Sequence, residues 1–263
     1  MELLIFFLVS LIASSIGGIC GVGGGIVIKP LLDATNLASV ATISFLSACT
    51  VLCMSTTTVI RNRKRKNLLD YKTSSALAVG AVIGGILGKY LFNELNLVIE
   101  SSLLGGIQSL VLLLVLALTF FYSFLKDKIQ TKHIQNWPFI IFAGIILGGI
   151  SAFLGIGGGP IELMALSYLF SMDSKKAAAN SLYIIMFSQM AALIQTGITA
   201  QIPTFNPVTL IGMAIAGIVG GIIGSTLNKK LMSSKIELLY RGVLVVIMLI
   251  CLFNTLRYIG LIF

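Results

Sequence analysis

Gly21-Val22-Gly23-Gly24-Gly25 and Gly155-Ile156-Gly157-Gly158-Gly159 decide the fold, because each interrupts an apolar run that would otherwise read as a single membrane helix. Glycine in a helix interior costs about 1 kcal/mol relative to alanine. Four glycines in five positions, twice, mean that the helix is built to break there. A proline follows each cluster, at Pro30 and Pro160. In lipid an unwound backbone persists only where it is buried in protein or lines a wet cavity, so a break deep in a membrane marks a binding site. That reading requires an opening toward solvent beside the breaks.

Composition agrees with the membrane. The 263 residues are 57% apolar and 10% charged, with a mean hydropathy of +1.04. A water-soluble globular chain has no use for that balance. The apolar runs are long enough for spanning helices and lack the alternation of barrel strands, so the fold class is an all-α integral membrane protein. Met1-Glu2 runs straight into apolar residues without a basic leader or a small-residue cleavage site, and the first segment is expected to be retained. The net charge of +9 resides in short loops, where it orients the protein rather than binding nucleic acid. Cys20, Cys49, Cys53 and Cys251 lie in apolar segments, and His133 has no second histidine to complete a metal site. No metal, cofactor or catalytic set is expected.

The apolar runs cover about 3–32 (broken), 37–60, 74–92 and 98–125, then about 137–170 (broken), 177–200, 207–227 and 237–262. Gly84-Gly85-Ile86-Leu87-Gly88 in the third run resembles Gly220-Gly221-Ile222-Ile223-Gly224 in the seventh, and Gly106 and Gly242 keep the same offset in the next. The chain is therefore an internal duplication, with repeats at 1–130 and 131–263 that together make one transport domain.

Charge decides between two topologies. If both broken segments cross, the repeats are parallel and the basic loops divide almost evenly between the two sides. If each broken segment dips in and returns, the repeats are inverted. Arg61–Lys66, Lys72, Lys126–Lys132, Lys175–Lys176 and Lys229–Lys235 then put fourteen cations on one face, against Lys29, Lys89 and Arg257. The positive-inside rule favours this second arrangement: two inverted-topology repeats in the plasma (inner) membrane, basic loops cytoplasmic and both termini outside.

Successive glycines let backbone N–H groups turn toward one point, and the helix after each break adds the positive end of its dipole. Two such loops meeting at mid-depth would hold an anion with neutral donors. The expected binding residues are Gly21, Gly23, Gly24 and Gly25, with Gly155, Gly157, Gly158 and Gly159. Ser44, Ser47, Asn180 and Ser181 add side-chain hydrogen-bonding groups, Thr42, Ser188, Gln189 and Gln195 lie in the same spans, and Gln108 is similarly placed in the fourth. Lys29, before Pro30, is expected to recruit the anion or to snorkel outward. Glu162, just after Pro160, is expected to couple a proton or to pair across the repeat interface. Gly84, Gly85, Gly88, Gly220, Gly221 and Gly224 read better as helix-packing glycines.

The doubled GxGGG segments with their following prolines, the duplicated halves and the basic loop after the second segment together resemble the sulfite exporter TauE/SafE family. The resemblance spans essentially the whole chain. It implies a secondary transporter of sulfur-containing oxyanions or organic anions, without a cofactor, with the glycine loops and Asn180–Ser181 as binding elements. The chain departs from the pattern in carrying Lys29 before its first proline and Pro160 directly after its second glycine cluster. A passive anion channel, or an intramembrane sulfur-relay protein using Cys49 and Cys53, are the other functions these residues allow. Expected partners are a small anion, a coupling proton or sodium ion and the lipid bilayer, with the protein working as a monomer or homodimer.

Overall fold

The computed structural model describes residues 2–258 apart from Lys64, Lys66 and Asp127, so two of the fourteen cations counted for the basic face lie outside the described residues. Ten helices follow in order: α1 (Glu2–Cys20), α2 (Gly25–Thr35), α3 (Val40–Asn62), α4 (Tyr71–Val98), α5 (Ser101–Leu125), α6 (Trp137–Leu154), α7 (Pro160–Phe170), α8 (Ser174–Ile198), α9 (Pro207–Lys230) and α10 (Ser233–Tyr258). Among the described residues there is no strand, and eight helices are long and apolar enough to cross a bilayer. The exceptions are α2 and α7, with 11 residues each. At 1.5 Å per residue they reach about 16 Å, half a bilayer.

Glycine conformation explains the two interruptions. α6 ends on Gly155, whose φ of 66° is left-handed, and the Gly155 and Ile156 N–H groups close the helix on Ala152 and Ser151 carbonyls. α1 ends before Gly21 (φ 80°), and Gly23 (φ 68°) is left-handed as well. Pro160 then opens α7 at a position where a helix needs no N–H.

Small residues set the packing. Gly80, Gly84 and Gly88 of α4 face the main chain of Ile141, Ile145 and Gly149 of α6 so closely that a Cβ at any of them would collide. Gly220 and Gly224 of α9 lie in the same way against Ser15 and Gly18 of α1. Lipid offers no hydrophobic drive for helices to associate, and such close approach supplies dispersion contacts instead. These pairings join distant parts of the chain: α1 packs on α9, and α6 packs on α4. α3 against both α8 and α9, α4 against α8 and α5 against α10 add to these, so helices from the two ends of the chain interlock.

Hydrogen bonds identify the two ends of the bundle. At one, Thr42 Oγ1 donates to the Thr204 carbonyl at 3.1 Å, Asn93 meets Gln201, and Glu2 borders one cavity with Leu37 and Ser39. At the other, Arg61 donates to Ser225 at 2.8 Å and Thr226 at 2.9 Å, Lys126 pairs with Glu237 at 2.6 Å, and Lys132 N–H reaches the Tyr168 carbonyl at 2.8 Å. α1 leaves the Glu2 end and reaches the basic end, where Asn228 donates to the Ile19 carbonyl at 2.7 Å; α2 leads back to Leu37. α6 leaves the basic end, and α7 returns to it, with Ser171 bonded to Thr131 at 2.7 Å.

Candidate binding site at the glycine loops

The two loops touch. A Cβ on Gly23 would lie 3.3 Å from the Gly157 carbonyl oxygen, one on Gly159 would lie 2.7 Å from the Val22 oxygen, and one on Gly25 would strike the Ile156 oxygen. Only glycine lets the two backbones come this near, and Gly157, Gly158 and Gly159 also hold positive φ. Among the described residues, the main-chain N–H groups of Val22, Gly23, Gly24 and Gly25, and of Gly157, Gly158 and Gly159, have no acceptor within the protein. Orphaned buried N–H groups are rare in folded chains, and here they gather at one contact.

Side chains with unused hydrogen-bonding atoms surround that contact. Ser47 Oγ would be 3.1 Å from a Cβ on Gly25, Ser44 Oγ 2.9 Å from one on Gly155, and Gln189 Nε2 3.3 Å from one on Gly157. All three atoms are buried without a partner. Glu162 is fully buried against Gly158: its Oε2 accepts from Ser181 Oγ at 2.9 Å, and its Oε1 is unpartnered. Lys29 does not snorkel; it is 3% exposed and paired with Asp33 at 2.8 Å.

Asn180 stands apart from this group. Its Oδ1 accepts from Asp70 N–H at 2.9 Å and Ser74 Oγ at 2.6 Å, while its Nδ2 donates to the Leu68 and Lys176 carbonyls at 3.1 and 2.7 Å. All four hydrogen-bonding positions of the amide are spent on holding the α3–α4 connection to α8. Gln108 is only half engaged: its Nε2 donates to the Phe153 carbonyl at 2.5 Å near the end of α6, while its Oε1 is buried without a partner among the described residues.

Solvent approaches the second loop only. Of the ten residues in the two glycine clusters, Gly155 alone is partly exposed. It lines a narrow cavity of about 20 Å³ with Ser44, Lys89, Phe92, Gln189 and Thr196. That is room for about one water. The cavity lies toward the Glu2 end, among the first turns of α3 and the last turns of α4 and α8. Lys89 Nζ sits 4.6 Å from the Phe92 ring centroid and has no carboxylate partner among the described residues. The opening expected at both loops is absent at the first, where Gly21 is pressed on Ala178 and Gly24 on Ser14. Beyond Cys20, a separate cavity of about 60 Å³ faces the basic end beside Lys126 and Glu237. Sequence reading named Gln189 only among the polar residues near the breaks, and left Asp33 and Lys89 out of the expected binding set. A signal existed for Asp33, an i, i+4 charge pair with Lys29.

An all-helical multi-pass membrane protein with glycine-built interruptions and unfilled polar groups between them defines a chain of the membrane-transporter class. The family profile described as Sulfite exporter TauE/SafE matches residues 6–253, and the chain belongs to that family. It is 26% identical to Probable membrane transporter protein YunE of Bacillus subtilis over 94% of this chain and 96% of that protein. It is also 26% identical to Probable membrane transporter protein MJ0441 of Methanocaldococcus jannaschii over 91% of each. Against Probable membrane transporter protein YfcA of Escherichia coli, identity is 23% over 92% of this chain and 85% of that protein. No solved structure matches the chain.

Proposed function

We propose that this protein is a secondary transporter of sulfur-containing oxyanions or related organic anions, bound between two inverted repeats where the glycine loops meet. The observation that carries the reading is the set of seven buried main-chain N–H groups without acceptors, bordered by Ser44, Ser47, Gln189 and two cations, Lys29 and Lys89. Neutral donors suit a ligand that must be released again, because they hold charge without the cost of burying a fixed counter-ion for each ligand charge. The small cavities facing opposite ends support alternating access, with the loops closed between them. Glu162, with a free oxygen beside Gly158, is the candidate coupling carboxyl of the second loop.

The direct test is a thermal-shift screen of the purified protein against sulfite, sulfate, thiosulfate, sulfonates and carboxylates, with and without sodium, followed by counterflow in liposomes. Stabilisation by a sulfur oxyanion and accelerated exchange with trans-substrate are expected. Exchange that ignores trans-substrate indicates a passive channel instead. In the same assay Lys89→Gln is expected to weaken anion affinity about tenfold, since a hydrogen bond to a charged group contributes about 1.5–3 kcal/mol.

Orientation has its own test. With the basic end cytoplasmic, Asn36→Cys labels only from outside intact cells and Ser171→Cys only after permeabilisation, each in a background lacking the four native cysteines. Labelling of both from one side refutes the inverted arrangement.

A further inference from the structure

Lys29 lies between two places for its charge. Its Nζ is 2.8 Å from Asp33 Oδ2 one turn along α2, and both side chains are at most 3% exposed. Asp33 Oδ1 has no hydrogen-bond partner among the described residues. The same lysine stem runs over the second loop, where a Cβ on Gly155 would meet Lys29 Cε at 3.3 Å and the unpartnered Ser44 Oγ at 2.9 Å. Rotation about the last bonds of the side chain would swing the ammonium from the carboxylate of its own helix toward Gly155, which lines the cavity with Ser44, Lys89 and Gln189.

The charged neighbourhood is short. α10 contributes Arg257, which donates to the Ala34 carbonyl at 2.9 Å, together with Cys251 and Tyr258, both close enough to feel the charge on Asp33. α4 contributes Lys89, close enough to feel Lys29. Among these groups Asp33 is the one carboxyl.

Resting on the transport reading above, we propose that Asp33 is a resident stand-in for the transported anion. In the empty protein it neutralises Lys29. When an oxyanion enters over Gly155, Lys29 turns to it, and Asp33 takes up a proton from water at the Glu2 end. Two anions competing for Lys29 would leave an uncompensated negative charge in a buried site, and protonating Asp33 removes it. The ionised carboxyl belongs to the empty state and the protonated one to the occupied state, so anion affinity rises as pH falls.

Calorimetric titration of the purified protein with sulfate and with thiosulfate, in buffers of different ionisation enthalpy, counts the protons directly. Uptake of about one proton per anion is expected for the wild type. In Asp33→Asn the count falls to near zero, affinity increases and its pH dependence flattens, while Lys29→Gln loses tenfold or more in affinity. Anion binding by the wild type without proton uptake overturns the proposal, as does an Asp33→Asn variant that still takes up the proton. The wild-type count needs no variant to fold. A wild type that binds neither anion here and is stabilised by none of the anions in the thermal-shift screen refutes the transport reading itself, and this proposal with it.

Discussion

Gly158→Val is expected to abolish anion uptake and to destabilise the protein by about 2–6 kcal/mol. Holding a β-branched residue at a φ of 90° costs about 1–3 kcal/mol. Overpacking against Ile185 and the Glu162 carboxyl adds about 1–3 kcal/mol more. The valine side chain would also push Glu162 away from Ser181. Gly242→Ala, with nothing within 4 Å of the new carbon, is the matched control and should leave stability and uptake at wild-type levels. Unfolding in mixed micelles together with liposome uptake measures both effects. A fully active Gly158→Val would mean that the packing of Glu162 against Gly158 has no part in transport.

The second large effect belongs to the pair on α2. Removing one member of a buried ion pair leaves a charge without compensation and costs about 3–5 kcal/mol, whereas exchanging both for apolar residues of similar size is often neutral. Asp33→Leu alone should therefore be strongly destabilised. The double variant Lys29→Met with Asp33→Leu should recover most of that stability and still fail to bind anion. This separation distinguishes a pair kept for the fold from one kept for the ligand. Recovery of stability and of binding together would assign Lys29 and Asp33 to the fold alone.

Much of the architecture was legible in particular residues. The glycine clusters announced where α1 and α6 stop, because glycine takes a left-handed backbone without the steric cost that a Cβ brings. Gly84, Gly88, Gly220 and Gly224 announced close helix contacts, and each does meet another backbone. Asn180 shows the boundary of such reading. A mid-span amide needs four partners, but nothing in the residue says whether a substrate or the Leu68–Asp70 connection provides them. Lys89 and Gln189 are likewise ordinary residues on two helices until α4 and α8 place them beside Gly155.

The membrane class, the helices and the places where α1 and α6 stop follow from hydropathy and backbone propensity along short stretches of chain, so the residues alone carry them. Packing settled the rest: α1 lies on α9 and α6 on α4, Lys29 is held by Asp33, and the first loop is closed while the second has a narrow opening. Those outcomes depend on which distant surfaces fit against each other, and a side chain's partner in a packed bundle is chosen by the helices around it.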